Sequence, residues 1–189
     1  MSNKLKLTNV RLSFNAIFNP ESKFDGEPKF SALFIIDKES DSGKENWKKI
    51  KEAIRSLEQS DLGGTELPID KLPIQNGNNE DGEGRYLGWK DCFIVTTGNR
   101  KRPVVVGRKR QPVAEGDVDA PYSGCYCNVI VSPWAMNHAT YGKRIIFSLE
   151  AIQMAADGEP FVSSTVDVST DFDDIEGDVT EVASSVFDL

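Results

Sequence analysis

Cysteine and histidine are scarce in this sequence of 189 residues, which holds three of the first and one of the second. An odd number of cysteines in a chain of this length does not make a disulfide framework. The lone His138 removes most catalytic and metal schemes built on imidazole. No apolar run approaches the roughly 18 residues of a membrane-spanning helix, so an integral membrane role is not expected. The start, MSNKLKLTNV, has no apolar stretch of the signal-peptide kind, and a cytosolic protein is expected. Motifs for phosphate loops, dinucleotide binding, zinc peptidases and serine hydrolases are all missing. The case for an enzyme is therefore weak.

Basic residues are missing from one part of the chain altogether, since none follows Arg144. Residues 167–189 hold eight of the 30 acidic side chains: Asp167, Asp171, Asp173, Asp174, Glu176, Asp178, Glu181 and Asp188. Without them the rest of the chain has 22 acids against 22 bases, so the formal charge of −8 belongs to the tail. From about residue 157 the chain is acidic, rich in Ser and Thr and poor in large apolar groups, the composition of a disordered segment. Two units are expected, a domain over 1–162 and an acidic flexible tail over 163–189. The tail ends in Val186, Phe187 and Leu189, an apolar anchor behind a string of carboxylates. That combination suits a basic partner pocket. It also resembles nucleic acid in charge and can compete for a nucleic-acid groove.

The body alternates apolar and polar residues in short runs. KLKLTNVRLSF (4–14) changes phase near Asn9, which predicts a strand with a kink or bulge. KFSALFIID (29–37) follows across a turn-rich stretch, and the pair reads as a hairpin. Trp47, Ile50, Ile54 and Leu57 then recur at helical spacing, with Ser42 and Glu45 as a capping box. Lys44, Lys48, Lys49, Lys51 and Arg55 lie off that stripe, as either a solvated face or one that tracks DNA. Residues 65–84 predict a long loop. Further strands are expected at 91–97, 103–106, 122–132 and 143–154, with a turn at Gly98–Asn99. Five or six mostly antiparallel strands with one helix between the early ones describe a small β-barrel or sandwich.

Cations are densest between Arg85 and Arg110. That segment holds Arg85, Lys90, Arg100, Lys101, Arg102, Arg108, Lys109 and Arg110 against Asp91 as its only acid. Two triplets bracket the apolar PVVVG. Tyr86 and Trp89 lie within GRYLGWKD, while Tyr122, Tyr126, Trp134 and Tyr141 cluster around the next strand, close to Lys143 and Arg144. Single-stranded nucleic acid needs this mixture, because phosphates take the cations and unpaired bases stack on rings. Duplex DNA hides its base faces. Cys125 and Cys127 lack a second pair for a zinc site and read as half-buried strand residues. Glu80, Asp81, Glu83 and Asp91 could be arranged around Mg²⁺, which keeps a small metal-dependent nuclease as one alternative. An acidic DNA mimic inhibiting a host enzyme is another, although a mimic needs its acids spread over a rigid surface. No cofactor is expected.

NVRLSFNAIFNP, KFSALFIIDK, GRYLGWKDCFIVTTGNRKRPVVV, APYSGCYCNVIVSPWA and GKRIIFSLEAIQMAADGEPF together resemble a family of bacteriophage single-stranded-DNA-binding proteins. Arg102 and Pro103 match its Arg-Pro step. Tyr122, Gly124 and Tyr126 match its Tyr-Ser-Gly-Cys-Tyr run. The resemblance implies an OB-fold, binding without sequence preference, and a place in DNA replication or recombination within the cytoplasm of an infected bacterium. It also implies a homodimer, and an acidic tail ending in an aromatic that meets replication proteins. Here Phe187 is not terminal but is followed by Asp188 and Leu189.

Overall fold

β1 (Leu5–Glu21) opens the domain, and its apolar side chains do not keep one phase. Leu7, Val10, Leu12 and Ile17 all point into the core. The phase change is accommodated at Asn9, whose φ of 52° is left-handed, beside a register shift between Leu7 and Val10 against its neighbour. Asparagine tolerates that conformation better than most residues, and the strand kinks there as its sequence predicts. β1 then runs on through residues expected to form the turn, and pairs with β2 (Lys29–Asp37) as an antiparallel hairpin. The computed structural model describes residues 3–22 and 26–161.

α1 (Asp41–Ser60) follows β2 and packs on β1, β2 and the later strand β6 (Tyr126–His138). Its buried residues include Ile50, Ile54 and Leu57, from the predicted stripe. The cap differs from the expected Ser42–Glu45 box. Ser40 is the N-cap, and its Oγ accepts the Gly43 amide at 3.0 Å. Trp47 stacks on Phe93 at 3.9 Å between ring centres, which anchors the helix against the start of β4 (Cys92–Asn99).

The expected loop over 65–84 is more ordered than its Gly- and Pro-rich composition indicates. It contains one 3-10 turn, Ile69–Lys71, and a short strand, β3 (Ile74–Asn76), paired with β4. Gly98 and Asn99 do not turn. They continue β4, with Asn99 opposite Phe30 of β2 and Gly98 opposite Ser148 of β7 (Gly142–Ala156). The chain turns instead at Arg100–Lys101–Arg102 and enters β5 (Val104–Val106). β6 and β7 form a long hairpin that runs several residues past the expected strand end. Residues 122–125, expected in a strand, make a turn in which Gly124 has φ of 108°.

Five of the seven strands close a barrel in the order β1-β2-β4-β7-β6. Every pairing around it is antiparallel except β4–β7, which is parallel and completes the closure. β3 and β5 extend the sheet at β4 and β7. This is the OB arrangement, with β2 and β4 as its second and third strands. Phe34, Ile36, Val95, Val129, Phe147, Leu149 and Ile152 fill the interior. Cys125 and Cys127 belong to that core and are fully buried, their sulfurs 3.5 Å apart. The hydrogen bond between them holds the Cys125 thiol below its ordinary range, and the same bond together with burial pushes Cys127 up.

Candidate nucleic-acid interface

OB barrels use the outer face of their second and third strands as a ligand surface. Here that face is itself apolar. Leu33 and Ile35 of β2 and Cys92 and Ile94 of β4 point outward, and the segment 77–91 covers them. Trp89 is the plug. It is only 2% exposed, and its indole Nε1 donates to Ser13 Oγ at 2.9 Å. This corrects the expectation that Trp89 offers its ring to bases. A Gly-flanked sequence suggested an exposed loop, but the loop folds back over β2 and β4 and buries the ring.

The segment is held by its own polar groups. Arg85 N donates to Gly77 O, Asp91 N to Asn78 Oδ1, and Asn78 Nδ2 back to Asp91 Oδ1. Lys90 pairs with Glu83, and Arg85 Nε donates to Asn78 O. Gly88, with φ of 78°, lies against the ring of Phe161, where any Cβ would collide.

Above the plug, two aromatic rings remain open. Tyr86 is 55% exposed and Phe14 is 53% exposed. Their centres are 4.9 Å apart with planes at 84°, and both also touch Trp89. Phe14 is not among the residues the sequence singles out. The sequence hides it, because alternation puts Phe14 in phase with the buried Val10 and Leu12, whereas the register shift between Leu12 and Asn15 against β2 turns Ser13 inward and Phe14 outward.

From this pair a groove runs along β4. Its first hollow is lined by Phe14, Leu33, Gln75, Arg85, Tyr86 and Trp89. The second shares Gln75 and Arg85 and continues over Ile74 and Asn76 to Asp70, Leu72 and Thr96. The third shares Asp70, Leu72 and Thr96 and continues past Lys71 and Gly98 to Arg144 and Ile146. Trp134 stands just beyond, 42% exposed, with Nε1 donating to the Oγ of Ser148, which pairs with Gly98. The turn Arg100–Lys101–Arg102 follows Gly98 at the same end, all three side chains exposed. Arg100 also pairs with Glu27 at 2.8 Å.

The remaining expected residues fall elsewhere or are engaged. Arg108 bridges Asp119 and Asp157, both at 2.7 Å, so the fold itself uses this cation. Lys109 and Arg110 stay exposed, but they lie at the far end of β5, beside Gln153 of β7. About 16 Å of strand separates that point from Ser148. Tyr122 OH is bound to Gly158 and Asp157, which ties the ring into the domain. Tyr126 is half-buried beneath Arg11, whose guanidinium also lies 4.1 Å from the centre of the Phe161 ring. Lys143 Nζ donates to Leu62 O and Thr65 Oγ1. Tyr141, 63% exposed, sits beside His138 at the tip of the β6–β7 hairpin. The tail residues Asp171, Asp173, Asp174, Glu176, Asp178, Glu181, Phe187, Asp188 and Leu189 lie outside the described residues. Among the described residues, no three His, Cys, Asp or Glu side chains are grouped to hold a metal ion.

A family model described as Enterobacter phage Enc34 ssDNA-binding protein matches residues 3–182. The chain belongs to this family. It is a family of binding proteins and not of enzymes. Protein p50 of Acyrthosiphon pisum secondary endosymbiont phage 1 is 31% identical over 178 residues, covering 91% of this chain and 94% of that protein. Among solved structures, the single-stranded DNA-binding protein from bacteriophage Enc34 in complex with ssDNA is 25% identical with a TM-score of 0.73. That alignment covers 84% of this chain and 89% of the other. The single-stranded DNA-binding protein gp2.5 of bacteriophage T7 shares the fold at 10% identity, with a TM-score of 0.57 over 95% of this chain and all of its own.

Proposed function

We propose that this protein binds single-stranded DNA along the groove over β4, without reading sequence. The observation that carries this reading is the exposed Phe14–Tyr86 ring pair, fixed over the β2–β4 face at the head of a groove lined by Arg85, Lys71 and Arg144. Bases stack on the rings and phosphates meet the cations, two interactions that every base sequence offers equally. Membership of a phage single-stranded-DNA-binding family supports it, as does a solved relative in complex with ssDNA. The work such binding does is to coat and protect single strands during phage DNA replication and recombination in the host cytoplasm. The eight acids of residues 167–189 compete with DNA for the groove, and the apolar end recruits replication proteins.

Fluorescence anisotropy with labelled oligo(dT), a mixed-sequence oligonucleotide and the matching duplex tests this reading. Similar affinity for both single strands and weaker binding of the duplex is the expected result. A preference for duplex, or no binding, overturns it.

A further inference from the structure

We propose that α1 carries a second stretch of the bound strand on a cationic stripe outside the barrel groove. Lys44, Lys48, Lys51 and Arg55 recur at spacings of four, three and four. At 3.6 residues per turn they fall within about 60° of one another, along about 16 Å of helix. All four are exposed, and among the described residues none forms an ion pair. The helix does have acids to spare. Asp41, Glu45 and Glu52 lie on the neighbouring strip, and one of them pairs with the off-stripe Lys49 at 2.8 Å. Like charges three and four residues apart oppose helix formation, and although Glu45 feels Lys48 as well as Lys49, no acid closes an ion pair on the row, so a polyanion there relieves repulsion between its cations.

A second observation sets this row apart from an ordinary solvated face. Its inner border is a layered stack: Lys38 Nζ is 4.3 Å from the centre of the Phe93 ring, Phe93 stacks on Trp47, and Lys51 Nζ is 5.9 Å from the centre of the Trp47 ring. The stack ties the cationic side of α1 to the start of β4, the strand that floors the groove. Aromatic faces thereby hold two ammonium groups in place, that of Lys51 on the stripe and that of Lys38 beside it. A row of regularly spaced cations without aromatic platforms of its own fits a phosphodiester backbone. It meets phosphates only, so it adds affinity and salt dependence but no base preference.

This inference rests on the groove reading above, and strand length separates the two. The full-length protein is compared with K44Q/K48Q/K51Q/R55Q, in which glutamine keeps helix propensity close to that of lysine and arginine. Binding of oligo(dT) is titrated against salt with an oligonucleotide long enough only for the groove and with one several times longer. The short strand is expected to bind both proteins alike. The long strand is expected to bind the variant more weakly, with a log–log salt slope shallower by about 0.7 for each phosphate that no longer meets a cation. Unchanged binding of the long strand overturns the proposal, as does an equal weakening for both lengths. Tighter binding by the variant also overturns it, in favour of the protein's own acidic tail as occupant. If the fourfold variant does not fold, K44Q/R55Q gives the same reading with half the change in slope. No binding of the short strand by the unaltered protein refutes the groove instead.

Discussion

The indole Nε1 of Trp89 donates a 2.9 Å hydrogen bond to Ser13 Oγ, joining a loop to a strand 76 residues away in sequence. The bond lies beneath the Phe14–Tyr86 pair, so the plug under the candidate interface and the interface itself are one construction. Trp89→Ala is expected to destabilise the domain by about 3–5 kcal/mol, the range for truncating a buried aromatic. Trp89→Phe should cost less, about 1–3 kcal/mol, because it leaves Ser13 Oγ without its donor. Urea midpoints measure both. An unchanged midpoint for Trp89→Ala would mean that the ring is not core.

Phe14 and Tyr86 should behave in the opposite way. Each is more than half exposed, so alanine at either site should leave the melting transition nearly where it was. Affinity for oligo(dT) should fall by about 1–3 kcal/mol for each ring that stacks a base. The two rings touch, so the double variant should lose less than the sum of the singles. Titration together with thermal melts separates a binding role from a packing one.

The two basic triplets are predicted to differ. Lys101→Ala with Arg102→Ala should flatten the log–log salt slope of ssDNA binding by about 0.7 for each phosphate left without its cation. Arg108→Ala should leave that slope nearly intact and instead free Asp119 and Asp157, loosening residues 107–119. Hydrogen exchange of that segment reports the second effect. A comparable flattening by Arg108→Ala would place both triplets on the DNA path, and no flattening by either variant would place neither there.

Asp119 gives a pH signature for the same segment. The Arg108 backbone amide donates to its carboxylate, and Gln111 and the Arg108 guanidinium add to the effect, holding Asp119 below the ordinary carboxylate range. A lowered value in the folded state means that the stabilisation is complete above the unfolded carboxylate range. It is lost as pH falls through the lowered value. An NMR titration should therefore find Asp119 protonating after most surface aspartates, and Arg108→Ala should bring it back towards them.

Deleting residues 167–189 moves the formal charge from −8 to 0. Affinity for ssDNA should rise, because a tethered polyanion no longer competes at high local concentration. The gain should be largest at low salt and shrink as the Debye length falls below about 10 Å. Phe187→Ala should leave DNA affinity nearly intact while weakening capture of a replication protein. A truncated chain with lower DNA affinity contradicts the competition.

Much of the architecture was legible in local pattern, because period and phase are properties of neighbouring residues. The kink at Asn9, the β1–β2 hairpin and the core stripe of α1 all follow from which positions are apolar. The cationic segment 85–110 and the acidic end were equally plain, since charge can be counted without coordinates. Tertiary structure decided what alternation cannot express, namely which strand lies beside which and what covers an outward face. Gly98 and Asn99 read as a turn, yet β2 and β7 offer them partners, and the two residues pair there instead of turning. Trp89 and Tyr86 stand three residues apart in one Gly-flanked loop, and nothing local distinguishes them. The outward Ile35 and Ile94 form an apolar patch on the barrel, and the fold of the loop delivers Trp89 to it and leaves Tyr86 in the open. Arg108 differs from Arg102 for the same reason, since Asp119 and Asp157 reach it only after the chain has folded.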